Sequence, residues 1–435
     1  MVNASLCLGW VRAFTGAVVN TARGYRLRCA GCGLVSDDDG LMLECPTCLA
    51  SALLRTEYVT DGAAFGSGLF ASWLPTVRDV DTAGFAVAYR AGGLGARIGL
   101  DELWVTFTGH WPERDANAPT GTFKDFEAAA VLGRLPADPP TIVIASTGNT
   151  AAAFLHAWSR TAARCVVIVP ESGQSKLDCG DGKPPNATYV VLRGGASYAD
   201  ATALASSLAV RAGFQAEGGV RNVARRDGLA RCTHLLLSTL DRVPDVYCQG
   251  VGSAAGALGS YESLVRVKRR TGSPLPRMLL AQNAPRAAVV DRWRGAAPAP
   301  LGPIVAGELA NDAPPYDVAG GIRDMLADTG GGAISVSNTD TVAAIRLFEE
   351  VEGIDIEPAA GVALAALAAA RRNGLVSESD LVHLNITGGG RRSSARSLGW
   401  VHPDLTLDAR DMRDPTALRA AADRVARHSD RARQS

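Results

Sequence analysis

From about residue 85 the chain alternates short apolar runs with amphipathic stretches, and this constrains its fold more than any other feature. The runs ELWVTF, TIVIAS, CVVIVP, ATYVVL, DVYCQ, RMLLAQ and LVHLNIT have the length and apolar character of strands. Helical patterns fall between them, over 124–134, 150–161, 198–212, 255–270, 339–350 and 359–373. Strands and helices in alternation imply α/β layers built on largely parallel sheets. With 435 residues, 47% of them hydrophobic and 20% charged, the chain is long enough for two such cores. Pro- and Gly-rich linkers near 294–303 and 311–321 separate the later elements, and no internal repeat is present.

The charge balance excludes one class of partner. Forty-four basic residues match forty-four acidic ones, so the chain lacks the positive field that nucleic-acid binding needs. No apolar run approaches the roughly 18 residues of a membrane span. Residues 1–24 lack a basic residue before their apolar stretch, and Arg12 interrupts it, so they read as a loose extension rather than a secretion signal. Residues 401–435 are charged and rich in Arg and Ala, which predicts a solvated helix or frayed tail. A cytoplasmic protein is the expectation.

Nine cysteines, an odd number, do not make a secreted disulfide framework. Four of them form two CxxC pairs in residues 25–55: Cys29 with Cys32, and Cys45 with Cys48. Two such turns converge four thiolates on a tetrahedral ion, as in a zinc ribbon. The alternative is a degenerate ribbon of reduced thiols. Four cysteine ligands leave no open position, so a bound zinc here is structural.

Four further segments carry chemistry. In NAPTGTFKDFEAAA (117–130) a Pro-Thr-Gly-Thr turn delivers Lys124 to the start of an Ala-rich helix, where positive potential favours a neutral amine. In IVIASTGNTAAAF (142–154) a buried strand runs into Ser146, Thr147, Gly148, Asn149 and Thr150, a strand–turn–helix suited to an amino-acid carboxylate. In YCQGVGSAAGALG (247–259) a glycine-containing loop at a strand–helix junction suits a phosphate. In LVHLNITGGGRR (381–392) a strand ends at Thr387 and three glycines. Each alone also fits a plain structural role: a surface lysine, a helix cap, a dinucleotide-type loop, a strand exit.

Taken in order, these segments resemble the fold-type II pyridoxal-5′-phosphate (PLP) enzymes of the threonine synthase family. The CxxC segment, SWLP (72–75), WPE (111–113), VPESGQSKL (169–177), EGGVRNVARRDG (217–228), PPYDVAGGI (314–322), EGIDIEPAA (352–360) and NITGGG (385–390) are similar to the cysteate synthase group within it. The resemblance spans roughly residues 25–392. It implies a tryptophan synthase β-like fold: two open twisted sheets with flanking helices, behind an N-terminal zinc-ribbon-like segment. It implies a large PLP-binding domain of residues 56–125 and 231–400, a small substrate-binding domain of 126–230, and a homo-oligomer.

The resemblance also implies roles. Lys124 is the Schiff-base lysine. Gly252, Ser253, Ala254, Ala255 and Gly256 hold the cofactor phosphate, Asn149 meets the ring oxygen, and Thr387 meets the pyridine nitrogen. Ser146, Thr147, Gly148 and Thr150 face the substrate. The resemblance aligns Arg225 and Asn222 with the substrate's phosphate; independently of it, Arg221, Arg225 and Arg226, with Lys176 next, are the cations suited to a leaving phosphate. The implied reaction is β-replacement through an aminoacrylate, turning O-phospho-L-serine and sulfite into L-cysteate and phosphate. Two features depart from the pattern. Ala254 and Ala255 replace flexible positions of the phosphate loop. Thr120–Asp125, Thr-Gly-Thr-Phe-Lys-Asp, looks more like threonine synthase than the Thr-Cys-Ser-Phe-Lys-Glu of cysteate synthases. Threonine formation from O-phosphohomoserine, or phosphoserine substitution by another nucleophile, stays open on the sequence.

Overall fold

The computed structural model describes residues 23–48, 51–59, 72–177, 183–240, 242–297, 302–392 and 401–431. Residues 1–22 of the expected extension lie outside them.

The N-terminal unit is a three-stranded antiparallel sheet of β1 (Tyr25–Cys29), β2 (Val35–Ser36) and β3 (Leu54–Tyr58), in the order β2-β1-β3. Along β1 the side chains alternate. Tyr25, Leu27 and Cys29 point inward, and Arg26 and Arg28 point to solvent, as the two-residue period of a half-buried strand requires. The inward face packs with Leu54 and with Val223. Val223 opens a short helix, Val223–Leu229. That helix anchors the ribbon through two successive residues. Arg226 donates to the carbonyl of Leu54 in β3 and to Glu262, while Asp227 accepts from Thr56 and Tyr58 of β3.

The main body begins with β4 (Ala86–Arg90), β5 (Glu102–Thr108) and a small hairpin of β6 (His110–Trp111) and β7 (Ala116–Asn117). Next come β8 (Thr141–Ala145), β9 (Cys165–Pro170), β10 (Ala187–Arg193) and β11 (Phe214–Ala216). They are followed by β12 (Val246–Gly250), β13 (Arg277–Asn283), β14 (Gly332–Val336), β15 (Leu381–Ile386) and β16 (Leu405–Asp408). Two sheets result. One is six-stranded, ordered β14-β13-β12-β15-β5-β4 and parallel except for β4. The other is five-stranded, ordered β11-β8-β9-β10-β16 and wholly parallel. β9, CVVIVP, is buried at all six positions, as befits a strand covered on both faces by helices.

The sequence between 401 and 431 is not a frayed tail. β16 adds to the edge of the five-stranded sheet beside β10, and the helix Pro415–Arg431 buries Ala421, Ala422 and Val425 with Leu204 and Leu208 of the helix Tyr198–Ala209. Ala421, Ala422 and Val425 form its buried stripe, while Arg419, Arg424 and Arg427 are exposed, so the expected helix is amphipathic and docked rather than solvated. Among the described residues, no helix is long and apolar enough to cross a membrane.

Candidate active site

In open parallel sheets, ligands sit outside the carboxyl ends of the strands. Here three such ends face one cavity between the two sheets. β8 of the five-stranded sheet supplies Ser146 and Thr147. β12 and β15 of the six-stranded sheet supply the 250–256 loop and Thr387.

Lys124 is the first residue of the helix Lys124–Arg134. Its turn is closed locally: the Asp125 carboxylate accepts from the Thr120 backbone N–H at 2.8 Å and from its hydroxyl at 2.9 Å. The turn is also stitched to the exit of β15. The Phe123 N–H donates to the Thr387 carbonyl at 2.9 Å, and the Gly389 N–H donates to the Gly121 carbonyl at 3.1 Å. Two segments more than 250 residues apart thereby place Lys124 and Thr387 on the same cavity.

Lys124 Nζ donates to Glu127 Oε2 at 3.0 Å. The other oxygen of Glu127 accepts from the Thr150 hydroxyl at 2.8 Å and lies 3.1 Å from an Arg225 guanidinium nitrogen. Burial pushes the Lys124 amine below its ordinary value; Glu127 opposes that shift and Arg225 adds to it. Burial alone would raise the Glu127 carboxyl, but Arg225 and Lys124 reverse this and hold it below its ordinary value. Arg225 also donates through Nε to Glu217 at 3.0 Å. From there a buried polar chain continues outward. Asn222 donates to the Glu217 carbonyl at 2.8 Å, Arg134 donates to Asn222 Oδ1 at 2.9 Å, and Arg134 holds both oxygens of Asp38 in the ribbon at 2.8 and 2.9 Å.

The phosphate-type loop runs from Gly250 to Ala254 and opens the 17-residue helix Ala255–Thr271. Gly250 to Gly256 line the cavity, so the loop and the positive end of that helix border it. Gly256 packs so closely that a Cβ there would sit 2.8 Å from the Phe123 ring. Ala254 has φ +60, the left-handed region, although it carries a Cβ. Gly148 has φ +133, a conformation that only glycine adopts without strain; it does not line the cavity but caps the helix Asn149–Trp158.

The structure therefore gathers Lys124, Ser146, Thr147, Asn149, Thr150, Arg225, Gly252, Ser253, Ala254, Ala255, Gly256 and Thr387 around one cavity. Lys176 and Arg221 line an outer cavity that also shares Thr147, Ser253 and Arg225 with the first. Each already has an acidic partner: Lys176 pairs with Glu308 at 3.0 Å and Arg221 with Glu44 at 2.7 Å. Asn222 lines neither cavity and spends its side chain on the chain from Glu217 to Arg134. Four residues that sequence patterns did not single out also matter here. Glu127 sits one helical turn after Lys124, a spacing at which side chains meet. Glu357, inside the EGIDIEPAA motif, accepts from Asn149 at 2.6 Å. Glu308 and Tyr198 line both cavities and lie in segments without any distinctive pattern.

In the ribbon, the sulfurs of Cys29, Cys32 and Cys45 lie within 4.8 Å of one another, with Cys32 and Cys45 3.6 Å apart. Cys48 packs beside Gly31: a Cβ on that glycine would lie 3.1 Å from its sulfur. Sulfur ligands about 2.3 Å from a tetrahedral zinc require such spacings, which Cys29, Cys32 and Cys45 meet, while the Cys48 sulfur lies outside that group.

Comparison with known proteins identifies the family. The family model described as "Pyridoxal-phosphate dependent enzyme" matches residues 107–388. A cysteate synthase of Methanothrix thermoacetophila is 38% identical over 410 residues, covering 90% of this chain and 97% of that one. A cysteate synthase of Methanocella paludicola is 35% identical over 403 residues, covering 88% and 94%. Among solved structures, Escherichia coli threonine synthase superimposes with a TM-score of 0.61 at 16% identity, over 91% of this chain and 99% of that one. Maize serine racemase gives 0.55 at 16% identity over 70% and 88%. The structural likenesses show the α/β fold-type II architecture.

Proposed function

The chain belongs to the pyridoxal-phosphate-dependent enzymes and, within them, to the cysteate synthase family, and on that premise we propose that it converts O-phospho-L-serine and sulfite to L-cysteate and phosphate. The observation that carries the proposal is the single cavity shared by Lys124, the Gly252–Gly256 loop, Asn149 and Thr387. A C–O bond to phosphate breaks at the substrate's Cβ and a C–S bond to sulfite replaces it. Bound PLP supplies the electron sink that makes the neighbouring Cα proton acidic.

The chain's own residues do the rest. Lys124 anchors the cofactor and, once its amine is free, takes the Cα proton and later returns it; its lowered proton affinity suits both steps. The loop Gly252, Ser253, Ala254, Ala255 and Gly256, at the positive end of its helix, would hold the cofactor phosphate. Thr387 presents a hydroxyl, an uncharged partner, to the pyridine nitrogen. Asn149 presents its amide to the ring oxygen. Ser146, Thr147 and Thr150 bind the amino-acid carboxylate, and Gly148, outside the cavity, shapes the turn that carries them. The leaving phosphate and incoming sulfite pass through the outer cavity, where Lys176, Arg221 and Arg225 are the cations at hand, with Asn222 holding the segment that carries Arg225.

We further propose that Cys29, Cys32, Cys45 and Cys48 hold a structural zinc. The six-stranded unit is the cofactor domain. The five-stranded unit is the substrate domain, to which residues 401–431 belong. The cytoplasm is the proposed compartment, supported by seven described cysteines that are all free thiols, and a homo-oligomer is the proposed assembly. The test is product analysis with phosphoserine or phosphohomoserine, with and without sulfite. Sulfite-dependent cysteate from phosphoserine is expected; threonine from phosphohomoserine, with no cysteate, overturns the assignment.

A further inference from the structure

Glu127 is wholly buried, one helical turn from Lys124, and each of its oxygens has a separate task. Oε1 is capped by the Thr150 hydroxyl at 2.8 Å and by Arg225 at 3.1 Å. Those two contacts fix the plane of the carboxylate and leave Oε2 for Lys124 Nζ at 3.0 Å. Arg225 is itself held by Glu217, so the carboxylate sits in a rigid frame that owes nothing to Lys124. A side chain built in this way is a prepared seat for an amine.

We propose that Glu127 is the positioning residue that receives the Lys124 amine whenever it is released from the cofactor, and keeps it aimed at the substrate's Cα. This rests on Lys124 being the cofactor lysine. A lysine with four rotatable bonds loses much orientation when its covalent link opens. A fixed oxygen within hydrogen-bond reach recovers it. Arg225 makes the seat reversible, because a lone buried carboxylate would trap the amine as an ammonium ion, whereas a carboxylate already paired holds it less tightly. Thr150 belongs to the turn proposed to bind the substrate carboxylate, so the seat and the substrate share one anchor. The charged and titratable groups around this seat are Lys124, Arg225, Glu217 and, beyond Arg225, Tyr198.

The test uses the holoenzyme with E127Q and E127D. Removing the carboxylate charge leaves burial and Arg225 lowering the Lys124 amine, opposed only by Glu217 beyond Arg225. The acid limb of kcat, and the pH transition in the absorbance of the lysine-bound cofactor, then move to lower pH by about one to three units. The value of kcat falls at least roughly tenfold, within the range for a mispositioned base, while KM for phosphoserine changes little. E127D keeps the charge one methylene shorter: its pH transitions stay near wild type and kcat partly recovers. Transitions of E127Q that coincide with wild type, with loss confined to thermal stability, overturn the proposal. If E127Q does not fold, E127D decides: lowered kcat with unmoved transitions supports the proposal, and unchanged kcat overturns it. Borohydride reduction and peptide mapping of the wild type separate the two levels. A label on Lys124 upholds the site on which the proposal rests, and a label elsewhere defeats both.

Discussion

The Asn149 side-chain amide, on the five-stranded side of the cleft, donates to Glu357 Oε2 on the six-stranded side at 2.6 Å. Arg391 completes the link, lying 2.9 Å from Glu357 Oε1 and donating to Asn149 Oδ1 at 3.3 Å. This three-residue clasp links the two sides of the candidate site, of whose lining Asn149 and Glu357 are part. Replacing Glu357 by alanine leaves the buried Asn149 amide without its acceptor, at a cost of about 1–3 kcal/mol. We expect E357A to unfold at lower denaturant and to hold PLP more weakly, with E357Q retaining more of both. Urea titration with and without PLP measures the two effects; an unchanged PLP affinity in E357A contradicts the clasp.

Lys124→Ala removes the proposed anchor and base. We expect turnover to fall by roughly 10²–10⁴-fold or more, with the yellow lysine-bound cofactor absorbance lost. Small primary amines added to the assay are expected to restore part of the rate. Substantial unaided turnover would place the base elsewhere.

Ala254 occupies the left-handed region at φ +60 in the loop assigned to phosphate. A Cβ is disfavoured there, so A254G is expected to stabilise the protein by about 0.5–1 kcal/mol net of the entropy a glycine adds to the unfolded chain. A254V is expected to destabilise it and weaken PLP binding. Thermal melts of the three proteins check the order Gly, Ala, Val.

Asp38 is buried against Arg134 and Tyr25. Burial would raise its carboxyl, but the Arg134 hydrogen bonds and charge dominate and hold it below its ordinary value. A carboxylate whose folded pKa is depressed contributes stability that is present above its unfolded value, about 4, and lost as pH falls through the folded value. We expect D38N to cost about 3–5 kcal/mol near neutrality by leaving Arg134 buried without its counter-charge. It should also flatten the loss of stability below about pH 4. Urea midpoints across pH 3–7 for both proteins test this.

Metal analysis of the purified protein is expected to return about one zinc per chain, and chelation to lower the melting temperature, because the ribbon's ligands and its fold are linked. Metal-free protein with an undiminished melting temperature would mark the four thiols as vestigial.

Most of the fold was legible because β9, β12 and β15 are near-continuous apolar runs ended by glycine or proline. Short or weakly apolar elements escaped: β11 is three residues long, and β16 lies in a charged segment. The site was legible where a turn announces itself chemically, as at Lys124, the Ser146–Thr150 turn and Thr387. It was not legible where a residue's role depends on what another segment brings to it. Glu357 becomes a partner of Asn149 only because strand order places residues 149 and 357 on opposite lips of one cleft. Asn222 shows the converse: a polar residue in a promising motif is consumed by its neighbours Glu217 and Arg134.

In the turn of helix at Arg225, Arg226 and Asp227, three adjacent side chains leave in three directions: to Glu127 of the site, to Glu262 and Leu54, and to Thr56 and Tyr58 of the ribbon. Inserting or deleting one residue upstream in this helix would rotate all three away from their targets together. The ribbon and the cavity's Arg225 are therefore indexed by one short helix, and a shift in its register reaches both at once.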